Sequence, residues 1–188
     1  MLRRALMPLP AAPDARPDRV VAYVGLGANL GDARATLQAA LAALAQLPSV
    51  TVMRMSPVYR SAPVDAAGPD FFNAVAELRT GLSPIRLLMA MQDIEQRFGR
   101  ERPYPNAPRT LDLDLLLQGD AQLNTPSLTL PHPRLHLRAF VLRPLLDLVD
   151  SAVLPSWVAN ATGTAPSPVT LMPAWICLIC LRPLFVRP

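Results

Sequence analysis

Between residues 20 and 118 the spacing of apolar residues switches repeatedly between the period of a strand and that of a helix. The switches predict strands at 20–27, within 50–61, at 72–80 and at 110–118, with helices from Asp32 and from Ser83 to Phe98. The order is therefore β-α-β-β-α-β, with Pro57 interrupting the second strand. This order predicts an α+β fold, a ferredoxin-like sandwich whose helices cover a mostly antiparallel sheet.

The limits of both helices are marked by residues with strong positional preferences. Gly31-Asp32 opens the first helix, and Ser83-Pro84 opens the second with an N-cap serine and a proline at the first helical position. Gly99 is predicted to end the second helix. The first helix should bury one face that carries Leu37, Leu41 and Leu44. From His132 onward, prolines permit only short helical pieces.

The chain of 188 residues divides into three parts by composition. Residues 1–19 contain four prolines and no periodic pattern, which predicts a disordered leader. Residues 20–150 hold the periodic structure and are predicted to form one domain. Residues 151–188 contain no acid and are treated as a divergent C-terminal tail. Cys177 and Cys180, spaced like a redox pair but set among Ile and Leu, are interpreted as inert buried thiols.

The charged residues exclude several classes of function. All eighteen basic residues are Arg, so no mechanism that needs a lysine is open to this chain. Residues 20–150 hold twelve Arg and twelve acids, which argues against nucleic acid as a partner. No apolar stretch is long enough to span a bilayer, and prolines interrupt any signal peptide in the leader. We therefore expect a cytoplasmic protein without a membrane partner.

The segment Arg109-Thr-Leu-Asp-Leu-Asp-Leu carries the sharpest chemical signal. On a strand, Asp112 and Asp114 point to one face, while the leucines between and beside them point to the other. Two adjacent carboxylates suit Mg²⁺, which takes one or two carboxylates together with substrate phosphates. The alternative is an exposed strand face with two solvated acids.

Arginines crowd the segment that precedes this strand. Arg97, Arg100, Arg102 and Arg109 fall within thirteen positions, and guanidinium groups match phosphate oxygens. A metal pair beside such a loop indicates phosphoryl transfer. The alternative is that these arginines form surface ion pairs with Glu95 and Glu101. Gln92 and Glu95 share a helix face close to this loop, where a solvated face is again the alternative.

Seven motifs, in the same order, resemble those of the 6-hydroxymethyl-7,8-dihydropterin pyrophosphokinase family of folate biosynthesis. The resemblance covers about residues 20–150, and its motifs are GLGANLGD (25–32), SPVYRSAPV (56–64), DFFNAV (70–75), QDIEQRFGRER (92–102), APRTLDLDLLL (107–117), LPHPRL (130–135) and RAFVLRPL (138–145). It implies transfer of the β,γ-pyrophosphate of ATP to the pterin hydroxymethyl group, with release of AMP. ATP is then a co-substrate, and two Mg²⁺ ions are the cofactor.

The resemblance also implies roles for individual residues. Asp112 and Asp114 match the metal-binding catalytic carboxylates, and Arg100 and Arg109 match arginines that assist transfer. Glu95 matches an acid beside the active centre. The positions that match ATP contacts are Gln92, Arg102, Arg109, Leu115, Thr129, His132 and Arg138. Those that match pterin contacts are Asn73 at the polar edge of the ring, Phe71 and Phe140 on its two faces, and Ser61 and Val64 lining the pocket.

The chain departs from some members of the family, so alternatives stay open. Tyr104-Pro-Asn106 stands where some members carry a tryptophan that closes over the pterin. The ending of the family does not match residues 151–188. We therefore also consider a non-catalytic relic that binds nucleotide and another two-metal nucleotidyl-transfer enzyme. With ATP and a pterin as its partners, the protein is expected to be a monomer.

Overall fold

The computed structural model describes residues 19–63, 68–99 and 110–149, together with the backbone of residues 169–171. Its strands are β1 (Val20–Ala28), β2 (Val50–Met55), β3 (Tyr59–Ser61), β4 (Phe71–Thr80), β5 (Asp112–Gln118), β6 (Leu123–Asn124), β7 (Thr129–Leu130) and β8 (Val169–Leu171). Its helices are α1 (Ala33–Ala45), α2 (Pro84–Arg97) and α3 (Ala139–Leu146), with a 3-10 turn at Leu135–Leu137. None of these described helices is long and apolar enough to cross a membrane.

The main sheet has the strand order of a split βαβ unit. β1 lies between β5 and β4, while β2 and β3 pair with successive parts of β4, and β8 extends the sheet beyond β3. All of these pairs are antiparallel. The predicted ferredoxin-like α+β sandwich is thus confirmed. The predicted second strand is divided at Pro57 into β2 and β3, because proline has no N–H to give to the ladder.

The helix limits follow the predicted capping residues. Asp32 caps α1, and its side chain accepts a hydrogen bond from the Ala35 N–H at 3.0 Å. α2 begins at Pro84, and Gly99 follows its end with a φ of +71°. Ser83 occupies the N-cap position of α2, but its side chain makes no capping hydrogen bond. The proline at the first helical position, which needs no N–H partner, accounts for the start of α2.

The larger apolar core lies between one face of the sheet and the two helices α1 and α2. Phe72, Ala74, Ala76 and Leu78 of β4 face it, as their alternation predicts. The helices contribute mainly Leu37, Leu44, Leu87, Met91 and Ile94, which are almost completely buried. Leu41, predicted on the same face of α1, packs against this core while remaining partly exposed.

Among the described residues, α3 covers part of the opposite face of the sheet. This short helix and the turn before it pack on Val75 and Leu116, forming a second apolar cluster with Leu135, Leu142 and Leu145. Hydrogen bonds from Tyr59 to Asp147 and from Arg54 to the Leu148 carbonyl, each 2.8 Å long, anchor the end of α3. Gly27, Asp112 and Asp114 lie on this face beyond the cluster and remain partly exposed.

The structure corrects two strand limits and covers little of the predicted termini. β1 extends to Ala28, one residue beyond the predicted limit, so Gly25 and Gly27 lie inside it, and β5 begins at Asp112 rather than Thr110. Except for Arg19, the predicted leader lies outside the described residues. Of the predicted tail, only residues 169–171 are described, and they pair with β3. Cys177 and Cys180 lie outside the described residues.

Candidate active site

Three neighbouring strands form the floor of a shallow site on the sheet face that α3 leaves open. The strand register places Gly27 of β1 directly between Asp112 of β5 and Asn73 of β4. A Cβ atom at Gly27 would lie 3.3 Å from Asn73 Oδ1 and 3.9 Å from Asp112 Cβ. The missing side chain therefore leaves room above β1 between a carboxylate and an amide. Glycine inside a strand often marks such a close approach of a ligand.

Asp112 and Asp114 share this face, as their spacing predicts. The leucines at 111, 113 and 115 are buried in the larger core. The Asp114 side chain is 36% exposed, and its Oδ2 lies 3.5 Å from Nη1 of Arg138. Two partly exposed carboxylates fit Mg²⁺, which completes its shell with water and substrate phosphates. Among the described residues, no group of three or more acidic, His or Cys side chains forms a metal cage.

A β-bulge in β5 brings the histidine turn to the site. Val24 pairs with Leu115 and Tyr23 with Leu117, so Leu116 is the extra residue. Its carbonyl oxygen accepts a hydrogen bond from the His132 N–H at 2.9 Å. This hydrogen bond anchors His132 beside the acidic strand.

His132 is neutral at physiological pH. Burial, and then the positive charges of Arg138 and Arg134, lower its pKa from about 6.5 to about 4. Its Nδ1 accepts a hydrogen bond from the Arg134 N–H at 3.2 Å. The proton of the neutral ring is therefore assigned to Nε2. His132 thus offers a single neutral N–H donor to an anion.

The other side of the site contains an oriented amide. Asn73 is buried, and its Nδ2 donates to Ser61 Oγ at 2.9 Å. This bond leaves Asn73 Oδ1 directed towards the space above Gly27. Phe71 lies two residues earlier on β4 and so shares this face. This part of the sheet face therefore combines an aromatic ring with a fixed hydrogen-bond acceptor.

Arg138 connects the acidic and aromatic parts of the site. It immediately precedes α3 and reaches Asp114, while its guanidinium carbon lies 5.7 Å from the centroid of the Phe140 ring. This distance is within the range of a cation–π contact. Phe140 is partly buried against the second apolar cluster. Arg138 thus lies near both the Asp114 carboxylate and the Phe140 ring.

Comparison with known proteins identifies the family. The family model described as 7,8-dihydro-6-hydroxymethylpterin-pyrophosphokinase (HPPK) matches residues 23–150. The chain is 48% identical over 134 residues to 2-amino-4-hydroxy-6-hydroxymethyldihydropteridine pyrophosphokinase of Pseudomonas aeruginosa, covering 71% of this chain and 83% of that relative. A protein of the same name from Synechocystis is 44% identical over 142 residues, which cover 76% of this chain and 70% of that relative. This chain belongs to the HPPK family.

Solved structures agree with the HPPK fold. Wild-type HPPK-DHPS of Plasmodium falciparum superposes with a TM-score of 0.56 at 14% identity, covering 77% of this chain. The present chain spans 42% of that longer one. At this identity the likeness shows the fold alone. The family resemblance inferred from the seven motifs is thus confirmed by sequence relatives, and the architecture by structural ones.

Several residues to which the HPPK resemblance assigns roles meet in the structure. Asp112, Asp114, His132 and Arg138 lie around the β5 side of the floor, with Phe140 beside Arg138, while Asn73, its partner Ser61 and Phe71 belong to β4 and β3 on the other side of Gly27. Leu115 is buried, with its backbone at the outer edge of β5, and Thr129 lies on β7 beside that strand. Val64, Arg100, Arg102 and Arg109 lie outside the described residues.

Two assigned residues on α2 have very different surroundings. Gln92 is exposed, whereas Glu95 is fully buried and accepts a hydrogen bond from the Leu113 N–H at 2.7 Å. For Glu95 the alternative of a solvated helix face is therefore wrong. Its helix turn packs against β5, and that contact buries the carboxylate.

Gly25 and Gly27 were not predicted to shape the site, although the sequence contains a signal. Two glycines alternating with apolar residues inside a β-rich run indicate a strand face without side chains. This interpretation of the sequence requires that both glycines be assigned to the interior of the strand and not to its end. Which residues flank the resulting gap depends on the strand register.

Proposed function

We propose that this chain transfers pyrophosphate from ATP to 6-hydroxymethyl-7,8-dihydropterin on the floor formed by Asp112, Gly27 and Asn73, releasing AMP. The observation that most supports this proposal is the alignment of these three residues on neighbouring strands in a chain that belongs to the HPPK family. It provides carboxylates for a metal-bound triphosphate and an oriented amide for a heteroaromatic ring. The space above Gly27 brings the two ligands together.

The pterin half of the proposal rests on Asn73, Ser61 and two aromatic rings. Asn73 Oδ1 accepts a hydrogen bond from the ring edge, because Ser61 keeps the amide in one orientation. Phe71 and Phe140 pack on the ring faces, with Val64 completing the pocket. Buried polar groups that need a partner select strongly for ligands that provide it. The hydroxymethyl group then points along the floor toward the carboxylates.

The nucleotide half rests on Asp112, Asp114, His132 and Arg138. The two carboxylates hold Mg²⁺, which neutralises charge on the triphosphate when bound; two ions are proposed. His132 donates its Nε2–H, and Arg138 pairs with phosphate oxygens. Gln92, Arg102, Leu115 and Thr129 complete the contacts to ATP. Arg100 and Arg109 stabilise charge during transfer.

The transfer step itself is an in-line displacement at phosphorus. The pterin hydroxyl oxygen forms a bond to the β-phosphorus, the bond from the β-phosphorus to the α,β-bridging oxygen breaks, and the hydroxyl proton is released. Arginine side chains stabilise the charge that develops on the leaving AMP.

We expect a cytoplasmic monomer without a nucleic-acid or membrane partner, in agreement with the neutral charge of residues 20–150.

Product analysis tests the proposed reaction. The full chain is incubated with ATP, Mg²⁺ and 6-hydroxymethyl-7,8-dihydropterin, and AMP and ADP are measured. One AMP per pterin consumed is the expected result. ADP would indicate attack at the γ-phosphorus and a different kinase. Bound ATP without turnover would indicate a non-catalytic relic, whereas polymer or cyclic nucleotide without pterin dependence would indicate another nucleotidyl-transfer enzyme.

Lowering the pH should destabilise the protein through His132. Between about pH 6.5 and pH 4 the unfolded chain binds a proton at this histidine, whereas the folded chain does not, because its pKa is about 4. The free energy of unfolding should therefore decrease as pH falls through this range. Urea unfolding at pH 7 and pH 5 should show a smaller decrease for His132→Gln than for the wild type. Equal decreases would contradict the assigned pKa shift.

A further inference from the structure

Glu95 forms an unusual link between α2 and the acidic strand. It is 0% exposed, and its Oε1 accepts the Leu113 N–H at 2.7 Å. Leu113 is the residue between Asp112 and Asp114. Within the described chain, β5 pairs in the main sheet with β1 alone, and the Leu113 N–H, which bonds to Glu95, points to the other edge of the strand. Glu95 thus satisfies a backbone donor between the two proposed metal ligands.

Packing by itself does not explain a glutamate at this position. The other buried residues of α2 are Leu87, Met91 and Ile94, all apolar. Transfer of a carboxylate from water into such surroundings is unfavourable unless specific hydrogen bonds compensate it. A leucine would fill similar space without that penalty. The hydrogen bond to the Leu113 N–H is therefore the specific interaction that accounts for a buried acid at this position.

We infer that Glu95 is a positioning residue that orients the backbone between Asp112 and Asp114 for metal binding. This inference rests on the proposed function. A hydrogen bond from an N–H to a fixed, buried side-chain oxygen is directional, so it restrains the peptide plane between Asp112 and Leu113. The direction of both carboxylates depends on that plane. Mg²⁺ tolerates little departure from octahedral geometry, so small rotations of the strand weaken its binding.

Two substitutions separate the hydrogen bond from the volume of the side chain. Glu95→Leu removes the acceptor, whereas Glu95→Gln keeps a carbonyl oxygen that accepts from Leu113. Gln118→Leu is the matched control, because Gln118 is 4% exposed on the same strand and its Nε2 donates to the Leu82 carbonyl at 2.7 Å. All three variants alter buried polar residues at the contact between β5 and the α2 region.

Binding of Mn²⁺ in the presence of α,β-methylene-ATP, measured by electron paramagnetic resonance, provides a readout without turnover. Glu95→Leu should weaken Mn²⁺ binding by about 10-fold to 100-fold, the range known for residues that orient metal ligands. Glu95→Gln should retain most of the affinity. Gln118→Leu also removes a buried hydrogen bond between a side chain and the backbone, yet should leave Mn²⁺ affinity unchanged.

Wild-type Mn²⁺ affinity in Glu95→Leu would overturn the inference, as would equal losses in Glu95→Leu and Gln118→Leu. If Glu95→Leu does not fold, the chemical shift of the Leu113 amide proton tests whether Glu95 holds this N–H. It should move upfield in Glu95→Gln, because a neutral acceptor replaces a carboxylate, and an unchanged signal would refute the link. Pterin-dependent AMP formation by the wild type is measured in a separate assay, because it tests the proposed function and not the role of Glu95. Its absence, with the Mn²⁺ pattern intact, would reject the proposed function alone.

Discussion

Replacing Asp112 or Asp114 with Asn should lower kcat/KM for AMP formation by roughly 1,000-fold or more, because charge stabilisation at a transferring phosphoryl group depends on fixed ionic partners. Each variant removes one negative charge from the proposed Mg²⁺ site and keeps the size of the side chain. Both side chains are partly exposed on the strand face opposite the larger core. The fold should therefore persist, which circular dichroism and thermal unfolding would show.

The turn after the same strand supplies a control for the aspartate variants. Asp120 is exposed at the opposite end of β5, so Asp120→Asn changes the net charge equally without touching the site. It should leave kcat/KM near the wild-type value. Near-normal turnover in Asp112→Asn or Asp114→Asn would reject the metal assignment. Turnover lost equally in Asp120→Asn would point to a general effect of charge.

Gly27→Val should raise the KM for the pterin by roughly 100-fold, because crowding a fitted site with extra methyl groups costs about 1–3 kcal/mol. A Cβ alone would lie 3.3 Å from Asn73 Oδ1, so the larger side chain must occupy the proposed ligand space. The backbone of Gly27 lies within β1 and has no positive φ, so valine introduces no backbone strain. Steady-state kinetics with varied pterin would measure the effect.

Gly25→Ala is the matched control for the glycine variant. A Cβ at Gly25 would meet Leu116 at 3.6 Å and Asp114 Cβ at 3.8 Å, which are ordinary contacts. It should change the pterin KM far less than Gly27→Val does. The dissociation constant for ATP should remain near the wild-type value in Gly27→Val. Wild-type pterin affinity in Gly27→Val would show that the pterin binds elsewhere.

Much of the fold was predictable because its signals are local. Strand and helix periods depend on residues two to four positions apart, and the ends of α2 follow from Pro84 and Gly99. The shared face of Asp112 and Asp114 follows from strand alternation in the same way. Alternation likewise predicted Phe72 on the core side of β4, and the structure confirms it.

The composition of the site was less predictable because it depends on contacts between distant segments. Gly27, Asn73 and Asp112 come from three strands, and only their register makes them neighbours. The bulge at Leu116 cannot be read from the apolar run around it, yet it anchors His132. The sequence also could not show that Glu95 is buried and Gln92 exposed, because both are polar residues on one face of one helix.

The sequence by itself determined the order of the elements, the family and the carboxylate pair, because local periodicity and short motifs encode all three. The tertiary structure decided what surrounds that pair. Strand pairing opened a gap at Gly27, directed Asn73 Oδ1 towards it and placed the Leu113 N–H against Glu95. These features depend on the relative shift of strands that are far apart in the sequence, such as β1 and β5, and the packing of the whole sheet sets that shift.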